Sequence, residues 1–151
     1  MNEFLGNKKQ DAGRFHDQPK NSVLTELEQL LNDQGATFGN IKPEKLVKLA
    51  KEFNEGRNYE FKSTQFRKFY DAVRGIWDHP KVRKLQDNEK ISDDFSARLI
   101  FLRPHIIKAS KEGKLNQFGE IMDFGLQKIK TKKDLYNFVK FFESIIAYAK
   151  K

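Results

Sequence analysis

Arg67 and Arg74 stand one heptad apart in the stretch Ser63–Trp77, with Lys68 beside the first. Guanidinium and ammonium groups at helical spacing suit one chemistry well, the holding of phosphate oxygens. A solvated charge, or an ion pair to a residue such as Asp71, explains the same residues without a ligand and contributes only about 0–1 kcal/mol. A second basic group, Lys128, Lys130, Lys132 and Lys133, falls at a helix C-terminus and the following loop. Lysines there also suit the negative end of a helix dipole. Charge is unevenly spread: residues 1–97 hold 17 Lys and Arg against 16 Asp and Glu, and residues 98–151 hold 12 against 5. Nearly all of the formal +8 therefore lies in the last third. A basic surface attracts phosphate backbones by counterion release, without reading sequence.

Other chemistry has little support. The chain of 151 residues has no cysteine, which rules out a disulfide scaffold, a thiolate metal site and a cysteine nucleophile. His16, His79 and His105 are far apart, with no metal-ligand spacing around them. No phosphate-cradling Gly-rich loop and no Gly-x-Ser-x-Gly occurs. Asp93 and Asp94 open a helix, where carboxylates favour the positive end of the dipole. No catalytic residue, metal or cofactor is assigned. No apolar run approaches the roughly 20 residues of a membrane span, and the N-terminus has no apolar signal-peptide core. The expectation is a soluble cytoplasmic protein without a membrane partner.

The elements that position the basic residues are helices. Residues 1–21 have no sustained period and are expected as a flexible arm, with residues 22–151 as a single domain. Ser22 is placed as the cap of a helix through Asn32, with Val23, Leu24, Leu27, Leu30 and Leu31 inside. Pro43 suits the start of a helix to Asn54, with Gly56 as its stop and Leu46, Val47, Leu49, Ala50 and Phe53 inward. Ser63 caps the next helix, whose Phe66, Phe69, Tyr70, Val73, Ile76 and Trp77 share one side. Asp78-His79-Pro80 interrupts it, and a short helical piece follows.

From Ser92, Phe95, Leu99, Leu102 and Ile106 share a face that Ile100 and Ile107 widen. Pro104 is expected to kink or split this helix, and Gly113 to end it. Leu115, Phe118, Ile121, Met122, Leu126 and Ile129 mark another helix. Thr131-Lys132-Lys133-Asp134 resembles a capping box with Asp in place of Glu. It opens a last helix with Leu135, Phe138, Val139, Phe142, Ile145, Ile146 and Ala149 inside, and Phe141 and Tyr148 beside that face. No alternating strand pattern competes. The predicted fold is all-α, a compact bundle of five to six helices. Fourteen Phe, four Tyr and one Trp supply its apolar area, more than one face per helix needs. Irregular core packing is the commoner use of such a surplus, and any part left exposed would suit contact with another protein or with bases.

Three segments together resemble the small subunit of type III-A (Csm) CRISPR effector complexes. Ser63-Thr64-Gln65-Phe66-Arg67-Lys68-Phe69-Tyr70 is similar to that family's Ser/Thr-x-x-apolar-Arg helix opening. Arg98-Leu99-Ile100-Phe101-Leu102-Arg103-Pro104 is similar to its Leu-Lys/Arg-Pro helix. Asp134–Lys150 resembles its C-terminal Phe-x-x-apolar-Glu-x-apolar-apolar-Ala-Tyr helix. The likeness covers roughly residues 61–150 in the family's order. It departs after Pro104: Lys108 stands where an aromatic is common, and Lys111 stands close to the usual Arg.

The resemblance implies a non-catalytic helical bundle in an antiviral ribonucleoprotein. Copies stack as an inner filament beside the repeated backbone subunits and the large subunit. Target RNA, paired to guide RNA, lies in the channel between the filaments, and other subunits cut. Arg67 and Arg103 sit on matched positions and are candidate RNA contacts. Arg98, on one helix side with Phe101 and Lys108, joins them, as do Lys68, Arg74, Lys108 and Lys111 and the group Lys128, Lys130, Lys132 and Lys133. Exposed aromatics leave room for a dimer of the isolated protein by helix exchange. The alternative is a helical protein–protein adaptor with a basic surface and no direct nucleic-acid role.

Overall fold

Apolar residues at three- and four-residue spacing fold into helices wherever a packed neighbour covers the stripe. The computed structural model describes residues 21–32, 36–55, 64–112 and 115–149. Among them are α1 (Ser22–Leu30), α2 (Pro43–Asn54), α3 (Thr64–Asp78), α4 (Pro80–Arg83), α5 (Asp93–Glu112), α6 (Asn116–Gln127) and α7 (Lys132–Tyr148). A 3-10 turn, Phe38–Asn40, precedes α2. The architecture is all-α, as expected, with the four-residue α4 added to six longer helices. The flexible-arm expectation falls almost wholly on residues outside those described, as do the roles given to Gly56, Ser63 and Gly113.

α7 is the central helix. It packs on α2 and the 3-10 turn, with lighter contacts to α3 and α6, while α5 packs on α6 and α3. Phe138, Phe141 and Phe142 of α7 are fully buried. Around them sit Phe38, Phe69 and Phe118, with ring centroids 5.5–6.4 Å apart in tilted or edge-on pairs. Edge-on geometry sets the positive ring edge on the negative face of its neighbour. Phe141 is thus at the centre and not beside the buried face. The core continues through Val23 and Leu27 of α1, Leu49 and Phe53 of α2, and Ile121, Met122 and Leu126 of α6.

Three side chains depart from the sequence expectation. Val47 and Ile100 are 41% and 44% exposed, and Leu30 is also exposed. Ser22 is the first helical residue, and Asn21 stands at the cap without capping through its side chain. Asn21 Nδ2 instead donates to Glu120 Oε1 (2.8 Å) and to the Gln117 carbonyl (3.1 Å), tying α1 to α6.

α5 neither splits nor ends at Pro104 but runs its whole length as one helix. The ring costs one backbone bond, a penalty of about 3 kcal/mol or more. Burial of Leu99 on one side of it and Ile106 and Ala109 on the other offsets that cost. α5 and α6 also approach closely. A β-carbon at Gly119 would collide with the Ser110 side chain and lie 3.6 Å from the Ile106 carbonyl oxygen.

The start of α7 is fixed by one carboxylate. Asp134 is fully buried. Its Oδ2 accepts from the backbone N–H groups of Lys130 and Thr131, both at 3.0 Å, and its Oδ1 from Gly39 N–H at 2.6 Å. Thr131 Oγ1 accepts from Asp134 N–H, which completes the expected capping box. Residues 87–91 run antiparallel beside residues 130–133, with a single β-bridge between Lys90 and Thr131. Ile91 N–H donates to the Lys130 carbonyl at 2.8 Å and Lys132 N–H to the Glu89 carbonyl at 3.0 Å.

Candidate nucleic-acid interface

The basic residues singled out in the sequence separate into two regions. The first is the outer side of α3 and α5. Contact of the His79 ring with Phe95 (4.8 Å) brings the end of α3 to the start of α5. Ala72, Gly75 and Ile76 of α3 and Arg98 and Leu102 of α5 line a groove between the helices. Arg67 and Lys68, both exposed, lie toward the start of α3, and neither makes an ion pair among the described residues. Arg98 is held lightly, by Asp94 at 3.2 Å and over the Phe95 ring at 5.0 Å.

A wider groove lies on the α6 side of α5. Ile100, Phe101, Pro104 and Ile107 form its apolar floor, and Arg103, Lys108, Lys111 and Asp123 its polar part. Arg103 Nε donates to Asp123 Oδ1 at 2.7 Å and Nη2 to Oδ2 at 3.3 Å. That two-point pair raises the Arg103 pKa further and fixes the guanidinium plane. Lys108 and Lys111 are exposed and make no ion pair among the described residues. With Arg103 and Asp123 cancelling, the groove keeps two positive charges over an apolar floor.

The second region is the corner where α4 meets α7. Trp77 and Tyr136 touch at a centroid distance of 5.4 Å. Arg83 lies 4.4 Å and Lys132 5.9 Å from the Trp77 ring, and Lys133 and Lys140 lie 5.0 and 5.6 Å from Tyr136. Most of these cations are also engaged elsewhere. Lys132 Nζ donates to the carbonyls of Arg83 and Leu85, both at 2.8 Å, closing the end of α4. Arg83 pairs with Asp78 at 3.0 Å, and Lys140 with Glu143 at 3.6 Å.

Arg74 faces this second region, away from α5. It bonds Glu143 at 3.0 Å and Asp78 at 3.4 Å. Tyr70 Oη donates to the same Glu143 at 2.7 Å. Burial, and then that bond, push the Tyr70 phenol above its usual pKa. Lys128 lies 5.4 Å from the Phe124 ring, beside α1, and Lys130 is exposed.

The heptad spacing of Arg67 and Arg74 therefore does not give two equivalent cations. The first is free among the described residues, and the second is tied to α7. Arg83 and Lys140 escaped the sequence reading. Lys133, Tyr136 and Lys140 stand at three- and four-residue spacing, a legible signal. Arg83 reaches Trp77 only through the turn at His79-Pro80, where His79 Nδ1 accepts from Lys81 N–H at 3.1 Å and caps α4.

A family model described as Csm2 Type III-A matches residues 40–151. The chain belongs to the Csm2 family. Membership makes it a small subunit of type III-A CRISPR effector complexes. No curated protein and no solved structure matches the chain. The Csm2 match begins in the 3-10 turn and takes in α2 to α7, so both basic regions lie inside it and α1 lies outside. It reaches some twenty residues before the stretch that carries the three motifs. No described helix of this Csm2-family chain is long and apolar enough to cross a membrane. Among the described residues no three His, Asp or Glu converge as metal ligands.

Proposed function

We propose that this chain is a non-catalytic, RNA-holding small subunit of a type III-A CRISPR ribonucleoprotein that serves antiviral defence in the cytoplasm. Copies stack as an inner filament beside the repeated backbone subunits and the large subunit. The outer side of α3 and α5 faces the channel that carries guide and target RNA. The observation that carries this reading is the charge left over on that side: Arg67, Lys68, Lys108 and Lys111 have no carboxylate partner among the described residues. Phosphates would take that place. Sequence would be read by base pairing, and this subunit would bear on backbone and shape.

Association with the guide-containing particle tests the proposal. Tagged full-length chain is recovered from cells that express the whole effector, with and without ribonuclease. Ribonuclease and high salt are expected to release it. Retention through both treatments contradicts RNA holding and supports the adaptor reading, in which the same surface meets an acidic protein.

A further inference from the structure

From the α5 groove we infer that Phe101 is a stacking platform for an unstacked RNA base, with Lys108 and Lys111 on the adjoining phosphates. This rests on the RNA-holding reading above and adds a base contact to it. Phe101 is 72% exposed, with exposed Ile100 and Pro104 around it. Leaving so large an apolar surface in water is unfavourable, and nothing within the described chain covers it.

The setting favours a nucleotide over an apolar protein segment. Residues three and seven apart on a helix share a face, so Arg98, Phe101 and Lys108 lie along one stripe. Side chains on a helix lean toward its N-terminus, which carries the Lys108 and Lys111 ammonium groups back toward Phe101. Arg98 lines the groove between α3 and α5, and Phe101, Lys108 and Lys111 together line the neighbouring one. The sole carboxylate in that lining, Asp123, is already occupied by Arg103. An exposed apolar ring followed along the groove by two unpaired lysines matches a ligand that joins a flat apolar face to a phosphate in one unit. Every base offers such a face, so the contact is tolerant of sequence.

The test titrates full-length chain into a single-stranded oligoribonucleotide carrying 2-aminopurine, whose fluorescence falls when it stacks, over a series of salt concentrations. Phe101→Ala is expected to weaken binding about 5- to 150-fold, the equivalent of one stacked base. It should abolish the quench and leave the log-affinity against log-salt slope unchanged. Phe101→Trp should keep both affinity and quench, and Phe101→Leu neither. Lys108→Glu with Lys111→Glu should reduce the slope by about 1.4, at roughly 0.7 per phosphate. Unchanged affinity and quench in Phe101→Ala, with the lysine pair still damaging, overturns the platform and leaves the phosphate reading standing. No effect from either variant overturns both. Loss in Phe101→Ala of a nuclease-resistant protein partner, with RNA binding intact, overturns the platform in favour of a protein contact.

Discussion

The exposed side of α5 that carries Phe101, Lys108 and Lys111 (the ridge) and the corner between α4 and α7 are both basic and aromatic, and they use the same residue types in different ways. At the corner the rings and cations satisfy one another. Arg83 lies on Trp77 and pairs with Asp78, Lys132 closes α4, and Lys140 pairs with Glu143. On the ridge Phe101 is uncovered and Lys108 and Lys111 stand free among the described residues. Charge that holds the fold together is less available to a ligand. A count of lysines and arginines therefore overstates the charge left available, and the identity of their partners distinguishes the two regions.

The largest effect expected from a single substitution lies at the corner. Asp134→Ala would strip acceptors from three backbone N–H groups, on Lys130, Thr131 and Gly39. A buried donor left without a partner costs about 1–3 kcal/mol. Urea denaturation should show a loss of about 3 kcal/mol or more, while protein that remains folded keeps its RNA affinity. A loss below 1 kcal/mol would mean that the corner is held by something else.

Lys132→Met should have a smaller effect of the same kind. It removes two 2.8 Å bonds to the carbonyls at the end of α4 and keeps most of the apolar stem. A stability loss of about 1 kcal/mol is expected, with RNA affinity unchanged. Weakened RNA binding with unchanged stability would move Lys132 to the side of the ligand and blur the distinction between the regions. Arg103→Glu is a poor probe of either region, because it would set two carboxylates together at Asp123.

Much of the fold was legible because periodicity and caps are local. The stripe of α6, the capping box at Thr131 and the break at Asp78-His79-Pro80 all follow from residues a few positions apart. What escaped was tertiary. Of the kink or split expected at Pro104, the split does not occur, because α3 and α6 pack on α5 and residues on both sides of the proline are buried. Phe141 is central because α7 is packed on several sides, so no single apolar face describes it. Asp134 looked like half of a capping box, and its third donor, Gly39, comes from 95 positions away. The candidate site was legible as residue types and not as availability. Arg74 and Arg103 stood among the candidate contacts with Arg67 and Lys108, yet the first two face carboxylates on α7 and α6 that the sequence could not place.

The division between ridge and corner is tested most directly by mapping RNA–protein crosslinks onto this chain in the assembled particle. Crosslinks are expected on α5 between Arg98 and Lys111 and on α3 at Arg67 and Lys68, with few at Arg83 or between Lys132 and Lys140. Crosslinks concentrated at the α4–α7 corner, with α5 bare, would contradict that division.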